Sequence, residues 1–535
     1  MNNLRKSFRN IIVKNKFLLF KSILLVFLLI VFQVFLPLLM RKFISQVSII
    51  QSVSFLLLCV FIYALFILIY NIIDVTWMKF LDKLGGIILE GIRRDLYYSI
   101  TNANYEKLIL IGKEKLKNIL YMDTLNIFSS IACHSIQICV NLLLIIVFLV
   151  ISAYIDLKLT LILLIASIIG FLISMFSRKP ISNASMKVNI KMKEDNKTLN
   201  EYIDALELAK TNNLDEYFLN KSKQSLWNFI NTSIKADNTL VFLKNLVTGF
   251  HQVVSISIAS FLSMTMQADS VGDLVFYLFV SNMVLDISQQ IESSIYSLVK
   301  MIPSFKNVNE ILNLAKCGGN ETINSIETIE FKDVTFRYQG NERAILYNKN
   351  ELFKKGDIIR ITGQNGGGKS TFVKLLQGLL YPKVGDVLLN GISTKTLDTN
   401  SIKNQILYID QDEIILNDNI KNYLEAISEQ SISKYQLKEL KNIVRFDENI
   451  FSISENGRSL SGGQRKKLLM IKLLLKYNLV SVIILDELEA GLDAETKNIV
   501  TQLEKEIIKN NNDFIFFKIT HETQEDDIFN RIITF

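Results

Sequence analysis

Cysteine and histidine are scarce in this chain of 535 residues, with four copies of the first and three of the second. The cysteines, at positions 59, 133, 139 and 317, show neither the close pairing of a metal site nor the pattern of a disulfide framework. Three of them lie in or beside apolar segments, where we expect small buried hydrophobic residues. The sequence therefore predicts no metal site and no disulfide framework built on cysteine.

The sequence also does not favour a secretory signal peptide. The first apolar segment, at 17–40, is too long for a signal peptide and has no small-residue cleavage site. We therefore expect this segment to remain in the membrane.

Hydrophobic residues are abundant and unevenly distributed. They make up 50% of the chain, the mean hydropathy is +0.29, and the excess lies before residue 300. A helix of about 20 apolar residues crosses a hydrocarbon core of about 30 Å. Runs of that length lie at 17–40, 51–73, 130–153, 157–177, 239–266 and 272–300. Each could be a buried core helix by itself, but no soluble fold needs so many, so we predict six transmembrane helices.

The net charge of +7 comes from lysine and arginine on one side of these spans. The basic residues concentrate in the N-terminal stretch and in the connections at 74–129 and 178–238, whereas the opposite loops hold little beyond Arg41, Lys42 and Lys158. Positively charged connections stay in the cytoplasm. We expect both termini and the long loops to be cytoplasmic, and the charge does not indicate nucleic-acid binding.

Two phosphate-binding turns follow in the second half of the chain. The first fits the pattern G-x-x-x-x-G-K-[ST] in full, with Gly363, Gln364, Asn365, Gly366, Gly367, Gly368, Lys369 and Ser370. The second is Leu460, Ser461, Gly462, Gly463 and Gln464. A glycine pair behind a serine suits a helix start whose free N–H groups hold a phosphate, although alone it is more often only a helix start. Together the two turns predict a nucleotide held from two sides.

An acidic pair ends the apolar run at 480–485, which is typical of a buried parallel strand. At such a strand end Asp486 can reach Mg²⁺, and Glu487 can polarise a water molecule. Two solvated acids would be the better interpretation if the chain had no phosphate loop.

The order of phosphate loop, LSGGQ and acidic strand resembles the ATP-binding cassette (ABC) transporter family, and the resemblance covers essentially the whole chain. It implies an α-helical membrane domain of the exporter type with six spans at 1–305, a linker at 306–325 and an α/β P-loop NTPase cassette at 326–535. It also implies two cytoplasmic coupling helices, near 105–112 and near 199–203.

The resemblance assigns roles to individual residues. Tyr338 corresponds to the aromatic residue that stacks on adenine, with a strand-packing tyrosine as the alternative. Glu455 corresponds to a short element with which exporters sense the opposite transmembrane half. The implied catalytic residues are Glu487, His521 and Gln411, and the implied Mg²⁺ ligands are Ser370, Gln411 and Asp486. The implied nucleotide-binding residues are Tyr338, Gly363, Gln364, Asn365, Gly366, Gly367, Gly368, Lys369, Ser370, Thr371, Ser461, Gly462, Gly463, Gln464 and Asp493.

The implied working unit is a dimer, because ATP lies between the phosphate loop of one cassette and LSGGQ of another. An intact set of motifs favours a homodimer with two composite sites for ATP and Mg²⁺. The expected environment is a bacterial inner or plasma membrane, with lipid and an exported substrate as further partners.

The sequence says least about the identity of the exported cargo. We expect an exporter of an antimicrobial or modified peptide; a multidrug or lipid exporter is the alternative, and an ATP-gated sensor or channel is a third. The short stretch before the first span predicts no leader-peptidase domain. Ionisable residues in the last two spans, Asp286 with His251 and Glu292 with Lys244, are candidate cargo contacts or simply walls of a wet cavity.

Overall fold

The computed structural model describes residues 16–50, 52–129, 134–265, 271–314, 317–340, 343–364, 366–411, 413–447, 450–454, 457, 459–510, 513–520 and 528–535. The chain divides into two compact units. Unit 1 is Met1–Ser99 with Glu114–Asn313, and unit 2 is Ile100–Lys113 with Leu314–Phe535. The boundaries 1–305, 306–325 and 326–535 stay predictions.

The first part of the chain is built of helices joined by short turns within the described residues. Its helices are α1 Lys16–Ile50, α2 Val53–Thr101, α3 Tyr105–Ile111, α4 Lys113–Asn118, α5 Thr124–Ser129, α6 Ile136–Ile155, α7 Leu157–Asp204, α8 Leu206–Thr211, α9 Asp215–Thr265 and α10 Val271–Leu312, with a π-helical turn at Ile119–Asp123. Helices α2, α7 and α9 are 48 to 51 residues long, which exceeds what a bilayer requires.

Four helices among the described residues are long and apolar enough to cross a membrane, by length and composition. They are Phe20–Val47 within α1, and α2, α6 and α10. Four of the six expected spans are thus found among the described residues, and the other two stay predictions. The spans expected at 157–177 and 239–266 lie in α7 and α9, which continue into charged stretches. Neither helix is counted among those long and apolar enough to cross a membrane within the described residues.

Helices α6 and α10 form the core of unit 1. Phe148 of α6 is buried with Tyr277, Val284 and Ile287 of α10. The Tyr277 hydroxyl donates to the carbonyl of Ser152 over 2.9 Å, so the phenol is satisfied inside the apolar core.

Unit 2 contains two sheets. The antiparallel sheet has the order β2-β1-β4-β5, with β1 Thr328–Phe336, β2 Leu346–Lys354, β4 Val384–Leu389 and β5 Ile392–Ser393. The parallel sheet has the order β6-β7-β8-β3-β9, with β3 Ile358–Thr362, β6 Ile406–Ile409, β7 Val482–Asp486, β8 Ile515–Ile519 and β9 Arg531–Thr534. The helices are α11 Lys369–Leu376, α12 Thr399–Gln405, α13 Ile420–Ser428, α14 Lys434–Ile443, α15 Gly462–Lys476 and α16 Ala494–Asn510.

The parallel sheet is buried on both faces. One apolar cluster lies between the two sheets and includes Phe353, Phe372 and Phe517. A second cluster on the other face includes Leu468, Ile471 and Phe516. Burial on both faces explains why β7 and β8 are continuous apolar runs without alternation.

Candidate nucleotide site

The phosphate loop, the Gln411 segment and the acidic pair come together at one edge of the parallel sheet. The phosphate loop follows β3, Gln411 follows β6, and Asp486 ends β7 with Glu487 directly after it. Because these strands are parallel, their carboxyl ends meet at the same edge, where open α/β sheets bind ligands. The sheet order thus assembles residues that are more than a hundred positions apart in the chain.

The phosphate loop presents the Lys369 ammonium and backbone N–H groups at the start of helix α11. Helix α11 begins at Lys369, and Gly368 at its N-cap has a φ of +109°. The Lys369 ammonium donates to the carbonyl of Gly363 over 2.7 Å. Ser370 is exposed and Thr371 is buried. The loop therefore leads its free N–H groups into the N-terminus of a helix, which is the arrangement that holds a phosphate.

Gly363 is required by close packing as well as by its backbone conformation. It has a φ of +148°, and a Cβ there would lie 2.3 Å from the backbone oxygen of Phe535. Gly366 has a φ of +81° and only open space where a Cβ would point. The loop is thus tight where it leaves β3 and open at its centre.

The Asp486 carboxylate lies among other acidic groups. Burial raises the pKa of Asp486, and the charges of Asp410 and Glu487 raise it further, whereas a hydrogen bond from Tyr408 opposes this. The Tyr408 hydroxyl donates to Asp486 Oδ2 over 3.0 Å. Three carboxylates therefore repel one another at a strand end, an arrangement that a bound cation relieves.

Glu487 has a left-handed backbone, with a φ of +43°. Its N–H donates to the carbonyl of Ile519 on β8 over 3.0 Å, and its carbonyl accepts from the N–H of Ala490 over 3.2 Å. A left-handed non-glycine residue costs of order 1 kcal/mol or more and persists only where its surroundings hold it. Glu487 is therefore fixed in a strained turn directly after Asp486.

The LSGGQ segment opens helix α15 with a capping box. The N–H of Gln464 donates to Ser461 Oγ over 3.2 Å, and the N–H of Ser461 donates to Gln464 Oε1 over 2.8 Å. Ser461 and Gly462 are exposed. The expected helix start is confirmed, and its first turn faces outward from the cassette.

Asp493 caps helix α16 close to the signature glycines. Its Oδ1 accepts from the N–H of Thr496 over 2.8 Å, and this bond is the main reason why the pKa of Asp493 is lowered. A Cβ on Gly463 would lie 4.0 Å from Asp493 Oδ2. The structure thus brings Asp493 and the signature turn together within one chain.

Two buried lysines of α15, which sequence reasoning missed, connect that helix to the Gln411 segment. Lys466 donates to the carbonyl of Gln411 over 2.8 Å. Lys472 donates to the carbonyl of Tyr408 over 3.2 Å and pairs with Glu413 at 2.6 Å. Their signal in the sequence is a charge inside an apolar helical stretch, which requires a buried partner.

Tyr338 packs against the cassette core. Its ring meets that of Phe336 edge-on at 5.0 Å, and its hydroxyl lies 3.4 Å from Thr371 Oγ1. This contact corresponds to the strand-packing alternative, and the role in stacking on adenine stays a prediction.

Three expected functional residues, Asn365, Glu455 and His521, lie outside the described residues. The side chains of His251 and Lys244 also lie outside them.

The donors at this edge fit Mg²⁺ and a nucleotide. Within the described ranges no group of three or more His, Cys, Asp or Glu side chains could hold a metal ion. Mg²⁺ is instead held by one or two carboxylates, waters and the phosphates of a substrate, and a hydroxyl, an amide and a carboxylate are all hard oxygen donors. Ser370, Gln411 and Asp486 supply that set.

Helix α3 belongs to unit 2, within the region expected to form the first coupling helix. Asn104 caps its N-terminus, and Gly112 ends it with a φ of +82°. Glu106 pairs with Lys383 at 3.1 Å, and the Tyr105 ring packs against the cassette core with the ammonium of Lys374 5.9 Å from its centroid. The observed contacts are thus to the segment around α11 and β4.

The second expected tip, near 199–203, is wrong by several residues. Those residues continue helix α7 to Asp204, and the chain turns at Ala205. The short helix α8, Leu206–Thr211, forms the tip. The amphipathic pattern gave no stop signal before Ala205, since the segment contains neither glycine nor proline.

Comparison with known protein families shows which family the chain belongs to. Residues 346–490 match the family described as "ABC transporter", and residues 17–287, just over half of the chain, match "ABC transporter transmembrane region". The chain belongs to the ABC transporter family.

Several curated relatives are similar over part of their length. Alpha-hemolysin translocation ATP-binding protein HlyB of Escherichia coli O157:H7 is 34% identical over 240 residues, which cover 43% of this chain and 33% of that protein. Subtilin transport ATP-binding protein SpaT of Bacillus subtilis is 30% identical over 307 residues, which cover 52% and 48%. An ATP-dependent lipid A-core flippase of Wigglesworthia glossinidia brevipalpis is 30% identical over 219 residues, which cover 39% and 37%. The matches span a third to a half of these relatives.

A solved structure of a bacterial Atm1-family ABC exporter with ATP bound superposes with a TM-score of 0.83 at 15% identity. The match covers 97% of this chain and 93% of that one. It shows the ABC exporter fold, a helical membrane domain followed by a cassette, and confirms the fold class expected from the sequence.

Proposed function

We propose that this chain is an ATP-hydrolysing exporter that works as a homodimer. The observation that carries the proposal is the edge of the parallel sheet where Lys369, Gln411, Asp486 and Glu487 follow three different strands. ATP-driven export also agrees with the names of the relatives, which describe translocation, transport and flipping.

The phosphate loop would hold the phosphates of ATP. The backbone N–H groups of residues 366–368 and the helix dipole of α11 attract negative charge, and the Lys369 ammonium exchanges its bond to the Gly363 carbonyl for a charge-assisted bond to a phosphate. Tyr338 is the proposed adenine contact.

Hydrolysis would depend on the acidic strand end. Ser370, Gln411 and Asp486 are the proposed ligands of Mg²⁺, which when bound neutralises developing charge on the phosphates. The strained turn places Glu487 at the same strand end, where it would orient and polarise the attacking water together with His521.

The second wall of the site would come from another copy. Ser461 and Gly462 open α15 on an exposed surface, with Asp493 beside Gly463. We propose that this surface covers the phosphate loop of the partner, so that one dimer holds two ATP molecules. Helix α3, fixed by Glu106 and Lys383, would transmit closure of the cassettes to the spans.

Mg²⁺-dependent ATPase activity of the purified full chain in lipid vesicles tests the proposal. We expect turnover that rises with dimer formation, and Ser461→Arg, which blocks the exposed helix start, should abolish it. Full turnover by a monomeric preparation would contradict the composite site.

We propose that the cargo is a cationic peptide, because acidic residues line a cavity in unit 1. A cavity of about 500 Å³ is lined by Asp286, Gln289, Gln290, Glu292, Ser293 and Tyr296 of α10 with Ile181 of α7 and Leu240 of α9. Asp286 lies about 22 Å along α10 from its start, at about 1.5 Å per residue. Its carboxylate has no hydrogen-bond or ion-pair partner among the described residues, and ionisable groups within spans are retained for function or for a wet cavity.

Asp286→Asn tests the cargo class without altering side-chain volume. We expect cargo-stimulated ATPase and export of a lysine-rich peptide to fall, with basal ATPase intact, whereas Asp237→Asn at an exposed position outside the cavity lining should leave both unchanged. Unchanged export by a well-folded Asp286→Asn variant would reject the role of Asp286.

A lipid exporter is the second candidate, favoured by the similarity to a lipid A-core flippase. Lipid-stimulated ATPase without any response to peptide would favour it.

A further inference from the structure

A buried lysine lies beside the strained Glu487 turn without being part of the proposed chemistry. Lys518 on β8 pairs with Glu489 and, at 2.6 Å, with Glu504 of α16. The three side chains are at most 5% exposed. Burial by itself would lower the pKa of Lys518, but the two carboxylates raise it, so the ammonium stays charged.

Such a group of charges is a poor way to stabilise a fold. Taking three ions out of water is costly, and apolar residues of similar volume often replace a buried ion pair without loss of stability. The other four residues of β8 are apolar and buried, so an apolar side chain at 518 would fit the strand. The charge is therefore better explained by what it holds in place.

What Lys518 holds is the turn that contains Glu487. The N–H of Glu487 is bonded to the carbonyl of Ile519, and two residues later the Glu489 carboxylate is bonded to Lys518. Both attachments reach neighbouring residues of β8. One fixes the start of the turn by its backbone, and the other fixes its far side by a side chain.

We propose that Lys518 and Glu489 are positioning residues for hydrolysis, which fix the Glu487 turn to β8 and thereby aim the Glu487 carboxylate. Glu504 balances the charge of Lys518 from α16 and makes no contribution to the aim. The inference rests on the proposed ATPase function and adds the device that keeps Glu487 in its left-handed conformation.

Two matched variants separate positioning from stability. Glu489→Leu and Glu504→Leu each remove one carboxylate and leave one buried lysine–glutamate pair. Only Glu489→Leu removes the connection to the turn. We expect Glu489→Leu to lower kcat of the full chain in vesicles on the order of ten- to a hundredfold, because small misplacement of a catalytic group has that effect. The KM for ATP should stay within about threefold, since nucleotide binding is not altered. Glu504→Leu should stay within about threefold of the parent in kcat.

Equal kcat in the two variants, with similar losses of melting temperature, would overturn the proposal and leave the triad a structural element. If Glu489→Leu does not yield folded protein, Glu489→Gln against Glu504→Gln gives the same comparison at unchanged volume, with the same two outcomes. A parent chain without ATPase activity would instead refute the proposed function, so the two failures are distinguishable.

Discussion

The Tyr408 hydroxyl donates a hydrogen bond to the carboxylate of Asp486 across two neighbouring strands, over 3.0 Å. Tyr408 lies on β6 and Asp486 at the end of β7, and the two residues are 78 positions apart in the chain. This bond holds the proposed Mg²⁺ ligand in a fixed orientation among like charges.

Tyr408→Phe should destabilise the chain by about 1.5 to 3 kcal/mol, the usual loss for a hydrogen bond to a charged group. Tyr423→Phe is the matched control, because the Tyr423 hydroxyl is buried without a hydrogen-bond partner among the described residues. The melting temperature in detergent should fall for the first variant and stay level or rise for the second. Equal shifts would contradict the role given to the Tyr408 bond.

Glu487→Gln should bind ATP and hydrolyse it orders of magnitude more slowly, because an amide cannot polarise the attacking water as a carboxylate does. Single-turnover kinetics together with ATP binding measure the two effects separately. Glu495→Gln, on an exposed residue of α16 that pairs with Arg445, is the control and should turn over normally. Near-normal hydrolysis by Glu487→Gln would remove its assignment as the base.

Lys369→Ala should weaken nucleotide binding itself, since a charge-assisted contact to phosphate is lost. The dissociation constant for ATP of the full chain is the measurement, and we expect an increase on the order of tenfold or more, corresponding to about 1.5 kcal/mol or more. An unchanged affinity would show that Lys369 keeps its bond to the Gly363 carbonyl when ATP is bound.

Charge reversal tests the contact of helix α3 with the cassette. The two charged groups lie 3.1 Å apart, so Glu106→Lys or Lys383→Glu alone replaces an attraction with a repulsion and should reduce the stimulation of ATPase by cargo. The double reversal Glu106→Lys/Lys383→Glu should restore much of it, with a coupling energy of about 0.2–1 kcal/mol for such a partly exposed pair. Absence of any restoration would mean that the pair does not carry the signal.

The sequence motifs, with the family resemblance they carry, predicted the fold class, and local patterns predicted where several helices and strands begin or end. The phosphate loop, the helix start at Ser461 and the strand that ends at Asp486 each depend on a few consecutive residues, and the structure has a helix or strand boundary at each. The family resemblance implied an α/β cassette, whereas the strand order that places these segments at one edge comes from the structure.

Contacts between distant residues could not be predicted. The Tyr408–Asp486 bond, the Lys466 bond to Gln411 and the Lys518 pairs join different elements, and no local periodicity encodes such partners. The predicted position of the second coupling tip was wrong for a different reason, because helix α7 continues through a polar stretch that gives no stop signal. Four of the six predicted spans are found among the described residues, and the two in α7 and α9, which mix apolar and charged stretches, stay predictions.

Transport into inside-out vesicles tests the central claim most directly. With the full chain reconstituted and a fluorescent lysine-rich peptide outside, the account predicts uptake that requires hydrolysable ATP and Mg²⁺ and is abolished by Glu487→Gln. Uptake without ATP, or equal uptake by the parent and Glu487→Gln, would contradict ATP-driven export by this chain.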